Sequence, residues 1–298
     1  MATALKLRES ISKYMKYMEL IQSASPLTLR HYTLDLRQAF EVEKDSEFPV
    51  KAFSEADLMA AVRGAFQRWA GLSLASRNRK AATLKSFFSW AFQEGLLEKD
   101  LSIQVICPKV PKKLPHFLSV DEALAVLKSF DEAKESLLKE KTLFLLLYGG
   151  GLRVSEACEL QWSQVQMSQR VLRVIGKGSK ERVVSLPPLA MEALKEWQKQ
   201  TPFTKYVFGE SALNSRTAYE MVRQSGIRSG LLKPLHPHAL RHSFATHLLS
   251  SGANLRTLQE LLGHESLTAT EKYTHLGIDQ LARTMEKLHP LGEGPRKK

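Results

Sequence analysis

Between Pro108 and Leu118 the chain reads PKVPKKLPHFL. Prolines at 108, 111 and 115 fall within eight residues. Each fixes its own φ, removes a backbone donor and pushes the preceding residue toward extended conformations. No helix or central strand can run through such a stretch. It divides the 298 residues into a first domain (1–107), a linker (108–115) and a second domain (116–298). Each domain is long enough to bury a core of its own, and 43% of the chain is hydrophobic. Lys112 and Lys113 stand among the prolines. A hinge that crosses a phosphate backbone fits this composition, and so does an inert spacer.

Everything before the linker reads as helix. Leu5 to Ile21 is periodic. Ser25-Pro26 is a helix start, with Ser25 as cap and Pro26 at the first helical position. Ser54 with Asp57 opens another helix, expected to end near Gly71. A long amphipathic helix follows and closes around Gly95. Its Leu84, Phe87, Phe88 and Ala91 form an apolar stripe at helical spacing. No acid occurs between Asp57 and Glu94, whereas Arg63, Arg68, Arg77, Arg79, Lys80 and Lys85 do. A solvated face is the ordinary reading of a charged run. A run of one sign, in a chain of net charge +12, favours a nucleic-acid face carried by Arg77, Arg79, Lys80 and Lys85.

Other classes are disfavoured. Cys107 and Cys158 are the only cysteines and make no disulfide framework. The N-terminal stretch is charged, unlike a secretory signal, and no apolar run reaches the length of a membrane span. A reduced, cytoplasmic protein without membrane contact is expected.

After the linker, Ser119 and Glu122 form a capping box ahead of further helices. VLRVIGKGSKERVVSL breaks the helical pattern, because two β-branched runs flank a Gly-Lys-Gly-Ser turn, the signature of a β-hairpin. Helices resume from Pro188. The fold expected is mainly α, with a small antiparallel β-sheet in the second domain.

Chemistry concentrates in this second domain. GGGLRVSEACEL places three glycines before Leu152 and Arg153. They either let a ligand approach the backbone or merely end one helix and start another. HPHALRHSFATHLL sets His238, Arg241 and His242 on neighbouring positions of a helix begun by Pro237. Zinc is a weak competitor, because Ala239 stands where the metalloprotease signature needs Glu and Arg241 would repel a cation. LLGHESLTATEKYTH adds His264 and, nine residues later, Tyr273. With Lys177 on the hairpin turn, these residues fill every role in a phosphoryl transfer that needs no metal. Two arginines can neutralise non-bridging oxygens, and a tyrosine can attack phosphorus. A lysine or histidine can protonate the leaving alkoxide. No carboxylate cluster suited to Mg²⁺ accompanies them, so no cofactor is expected.

In order and spacing, Arg153 in GLRVSE, Lys177 in GKGSKER, the HALRH box at His238–His242, LGH at 262–264 and Tyr273 resemble the signature of the tyrosine site-specific recombinases. The first domain and the Pro-Lys linker resemble that family's core-binding domain, so the resemblance spans essentially the whole chain. Compact length and GKGSKERVV, RHSFATHLL and LLGHESLTATEKYTH look most like the bacterial Xer-type members.

The resemblance implies a two-domain, C-shaped DNA clamp. It implies that Arg153 and Arg241 hold the scissile phosphate with His264, that Lys177 protonates the leaving 5′ oxygen, and that His238 serves as base or acid for Tyr273. Tyr273 would form a 3′-phosphotyrosyl bond. Glu156 would support the site, and His242 would brace the helix. It further implies double-stranded DNA as substrate, homo- or hetero-tetramers with a related recombinase on two DNA sites, and docking of LGIDQLARTMEKLHPL on a neighbouring protomer. Resolution of chromosome dimers near the replication terminus, with a septal DNA translocase as further partner, follows for the Xer type. A mobile-element or phage integrase would share the same site, but commonly carries an extra N-terminal domain for which no room is expected before Leu5. A type IB topoisomerase and a non-enzymatic DNA-binding protein are the remaining alternatives.

Overall fold

A computed structural model describes residues 5–22, 24–42, 47, 52–111, 117–132, 137–175, 181–254, 258, 261–262 and 283–292. The chain separates into two compact units, Met1–Lys113 and Leu114–Lys298.

The first unit runs β1 (Leu5–Lys6), α1 (Leu7–Leu20), α2 (Pro26–Ala39), β2 (Ala52–Phe53), α3 (Glu55–Arg68), α4 (Leu74–Gln93) and a 3-10 turn at Leu101–Gln104. The helix starts are chemically specified. Ser25 Oγ accepts from Thr28 N at 3.2 Å with Pro26 at the first position. Ser54 and Asp57 exchange side-chain and backbone bonds as a capping box. Ser73 Oγ caps α4 through Ser76 N. Each such cap is worth about 1 kcal/mol. The stripe Leu84, Phe87, Phe88 and Ala91 is fully buried against Tyr14, Leu36 and Leu58. Gly95, at φ 68°, follows α4 in a conformation costly for any residue with a Cβ. α3 ends at Arg68 rather than near Gly71.

Two expectations change. Leu5 and Lys6 do not start the first helix but pair antiparallel with Phe53 and Ala52. That partner lies far along the chain, so local periodicity could not reveal it. Lys80 does not point outward with the other bases of α4. It is buried, its ammonium 2.9 Å from Asp35 Oδ1, bonded also to Gln38 Oε1 and 5.1 Å from the centre of the Trp69 ring. Asp35, itself fully buried, also accepts from Arg79 Nη2 at 2.8 Å and Thr83 Oγ1 at 3.1 Å. A buried carboxylate needs such a full set of donors, and it draws Lys80 inward. Arg79 and Lys85 remain exposed and Arg77 half-buried. Lys112 and Lys113 lie outside the described residues.

The second unit runs α5 (Val120–Glu132), α6 (Leu138–Gly149), α7 (Val154–Cys158), β3 (Val165–Gln166), β4 (Val171–Ile175), β5 (Glu181–Ser185), α8 (Pro188–Gln200), α9 (Ser215–Arg228) and α10 (Pro237–Ser250). The Ser119–Glu122 capping box forms as expected, with bonds of 2.8 and 3.1 Å. β4 and β5 pair from Val171↔Ser185 to Ile175↔Glu181, and β3 adds a third antiparallel strand. α6 is the core element, with Leu143 through Tyr148 all buried.

The glycine run serves packing within the chain. Gly150 is the C-cap of α6, and Gly151 has φ 61°. A Cβ on Gly151 would lie 2.5 Å from the Phe244 ring, and one on Gly150 would lie 2.7 Å from Leu152 and Leu186. The run therefore turns the chain tightly enough for α10 to press against the segment that precedes Arg153.

Of the segment LGIDQLARTMEKLHPL, residues 276–282 lie outside the described residues, and residues 283–291 pack on their own domain. Met285 is fully buried in a cluster with Phe244 and Leu248, and Glu286 pairs with Arg170. Closer to the core, His289 Nε2 bonds the carbonyl of Tyr148 at 3.2 Å. Tyr148 Oη bonds His247 Nδ1 at 2.9 Å, and His247 Nε2 bonds the Leu118 carbonyl at 2.8 Å. An imidazole must donate to a carbonyl, so each ring carries its proton on Nε2, and Tyr148 donates to His247. Both histidines sit neutral among aromatic rings.

Candidate active site

Glu156 is the centre of the site. Arg153 is the N-cap of α7 and Glu156 stands three residues on. The carboxylate folds back on the cap: Arg153 N donates to Oε2 at 2.7 Å and Arg153 Nη1 to Oε1 at 2.8 Å. From β5, Arg182 adds a two-pronged contact, Nη1 to Oε1 at 2.7 Å and Nη2 to Oε2 at 2.8 Å. Arg241, the fifth residue of α10, brings Nη1 to 3.9 Å from Oε2. Three guanidinium groups thus surround one carboxylate, and the cluster keeps a charge of +2. The Glu156 and Arg182 side chains are only 5% and 6% exposed, whereas that of Arg153 is 40% exposed.

Arg241 joins segments far apart in sequence. Nη1 donates to the Gly151 carbonyl, and Nη2 donates to the Leu262 carbonyl at 2.7 Å. One side chain therefore holds the turn before Arg153 and the residue just ahead of Gly263-His264. Burial, helped by the neighbouring Arg153 charge, pushes the Arg241 pKa down to about 10, so the group stays cationic at neutral pH. Burial alone would push the Glu156 carboxyl up. The bonds and charges of Arg182 and Arg153 outweigh it and hold the group at about 2.

His238 is exposed on the same turn as Arg241. The helix start ahead of it is built by Pro237 and by His236, whose Nδ1 accepts from Ala239 N at 3.0 Å. His242, also exposed, packs edge-on against Phe117, ring centres 5.9 Å apart. The structure brings Arg153, Glu156 and Arg241 together. Lys177, His264 and Tyr273 lie outside the described residues.

Sequence reasoning missed Arg182. A signal was present: in ERVVS, Arg182 alternates with Val184 and must share its face, and both are buried. A charged residue on the inward face of a short strand calls for a buried partner.

These groups set an acid limit on stability. Burial holds His289 down to about 3, from an ordinary 6.5. Its folded form favours the neutral ring, so this stabilisation is complete above pH 6.5 and is lost as pH falls toward 3. The Glu156 contribution is complete above its ordinary 4.5 and is lost as pH falls toward 2. The melting temperature should therefore first drop between pH 6.5 and 4.5, where the histidines alone contribute. His289→Asn should flatten that first drop in a thermal melt. An equal drop in the variant would remove His289 from the account.

Residues 116–278 match the phage integrase family, and residues 11–95 match the phage integrase N-terminal SAM-like domain. The chain is 34% identical over 298 residues to "Tyrosine recombinase XerC" of Myxococcus xanthus, covering 94% of this chain and 97% of that protein. It is 33% identical over 290 residues to "Tyrosine recombinase XerD" of Staphylococcus aureus strain Mu50, covering 94% and 98%. Among solved structures it resembles the XerH site-specific recombinase bound to difH substrate in a pre-cleavage complex. That match has a TM-score of 0.62 and 26% identity, covering 90% of this chain and 80% of that one. Among the described residues, no helix is long and apolar enough to cross a membrane.

Proposed function

The chain belongs to the phage integrase family of tyrosine recombinases, and from that membership we propose that its Arg153–Glu156–Arg241 cluster is a clamp for the scissile phosphate of DNA. The observation that carries this reading is the charge of the cluster. A buried carboxylate fixes the arginines in place, and with Arg182 counted two positive charges remain to meet a doubly charged phosphorane-like transition state. His264 adds a hydrogen bond to the same oxygens. Tyr273 Oη attacks phosphorus while its proton passes to His238. The P–O5′ bond breaks, and Lys177 protonates the departing 5′ oxygen. The 3′-phosphotyrosyl ester stores the bond energy until another strand's 5′ hydroxyl attacks, so strand exchange needs neither ATP nor metal. Glu156 orients the arginines, and His242 braces α10 against Phe117.

In this reading residues 1–107 are the core-binding domain, 116–298 the catalytic domain, and 108–115 a linker that lays Lys112 and Lys113 along the phosphate backbone. Arg77, Arg79 and Lys85 meet DNA directly, and Lys80 acts by holding α4 in place. Relatives named tyrosine recombinase XerC and XerD support recombination as the activity. Beyond that, the chain in this reading acts in the cytoplasm on chromosome dimers at a terminus site, in tetramers that include a related recombinase, with a septal DNA translocase as further partner. Covalent trapping on nicked suicide substrates, followed by sequencing of the captured DNA, tests this. Enrichment of one terminus-proximal site is the expected result. Capture at the ends of a mobile element instead would make the chain an integrase. Relaxation of any plasmid without site preference would make it a topoisomerase.

A further inference from the structure

We propose that Arg182 is a positioning residue for the strand-cleavage reaction, one that sets the phosphate clamp through Glu156; the inference rests on the clamp reading above. Glu156 has two oxygens and four close donors. Arg153 takes one oxygen with its backbone and the other with its side chain, and Arg182 takes both with a fork. Without the fork the carboxylate is free to swing, and the Arg153 guanidinium loses the acceptor that aims it. Arg241 lies farther from Glu156 and is held chiefly by two carbonyls, so it should be less disturbed.

The fork is itself fixed from two sides. Arg182 pairs across the hairpin with Val174, and its side chain is enclosed on the inward face beside Val184. Its Nε has no acceptor among the described residues, so the carboxylate is what orients the group. A fully enclosed Arg–Glu pair is a poor device for stability alone, since apolar residues of similar volume often serve as well. It is a good device for direction, because a planar fork on a carboxylate permits one relative orientation, whereas a lysine acts as a point charge.

The test compares parent, Arg182→Gln and Arg182→Lys on three suicide substrates: an ordinary phosphodiester, a methylphosphonate at the scissile position, and a 5′-bridging phosphorothiolate. The first needs a full clamp. The second carries one negative charge fewer. The third has a leaving group that departs without a proton. Both variants should bind DNA within about threefold of the parent, because affinity rests on many phosphate contacts. Both should form the covalent adduct about 10²-fold more slowly on the phosphodiester, the scale expected when one preorganised charge contact is lost. The deficit should shrink on the methylphosphonate and persist on the phosphorothiolate. Parental rates in Arg182→Lys, or an equal deficit on all three substrates, would overturn the proposal. So would recovery on the phosphorothiolate alone, since Arg182 would then serve proton delivery to the leaving group. If Arg182→Gln does not fold, Glu156→Leu/Arg182→Met removes both partners and restores packing. Restored melting with cleavage still lost supports positioning, and restored cleavage refutes it. A parent that forms no adduct would overturn the recombinase reading itself and is told apart by that control.

Discussion

Tyr273→Phe is expected to abolish covalent capture of DNA while leaving DNA affinity unchanged. Phenylalanine keeps the ring, so whatever packing Tyr273 makes is conserved. What disappears is the hydroxyl oxygen proposed to become the ester oxygen. The loss should be on the order of 10⁶-fold, the scale seen when other catalytic nucleophiles are deleted. A partial loss would mean that another group can attack. The phenol also needs a base, because its ordinary pKa of about 10 leaves it protonated at neutral pH. Capture by the parent should therefore rise with pH until another group fails. Measured on a nicked substrate by denaturing gel, any adduct above background in Tyr273→Phe would refute the assignment.

Glu156→Ala should produce a large loss of stability in the second unit. It strands the buried Arg182 guanidinium, leaves the Arg153 backbone N–H without its acceptor and sets Arg153 and Arg241 against each other. Breaking a buried pair from one side costs about 3–5 kcal/mol. For a unit of this size that corresponds to a fall in melting temperature of roughly 6–20 °C. Glu156→Gln keeps the volume and one acceptor and should lie between. Adduct formation should fall in both variants even below their melting temperatures, because the clamp loses its direction before the fold is lost. A Glu156→Ala variant that melts with the parent would show that the arginines find another anchor, and the central role given to Glu156 would fail.

Much of this was legible in the sequence because it is locally encoded. Ser25-Pro26, Ser54–Asp57 and Ser119–Glu122 are helix starts whose donors and acceptors lie within three residues of each other. The β4–β5 hairpin is announced by its own turn. The glycines before Arg153 left two readings open, and only the tertiary structure shows that packing against Phe244 already requires a glycine at 151. Lys80 shows the opposite failure. Its charge placed it with Arg77, Arg79 and Lys85, but a buried Asp35 on another helix turned it inward.

The sequence by itself determined the helical class, the small antiparallel sheet and the order of the chemistry-bearing residues, because these depend on periodicity and residue type at short range. Only the tertiary structure decided that Arg182 bonds Glu156, that Arg241 ties Gly151 to Leu262, and that residues 283–292 pack on their own domain. Each of these depends on a partner distant in the chain. A buried charge is satisfied by whatever group the fold brings within about 3 Å, and no local pattern specifies which group that will be.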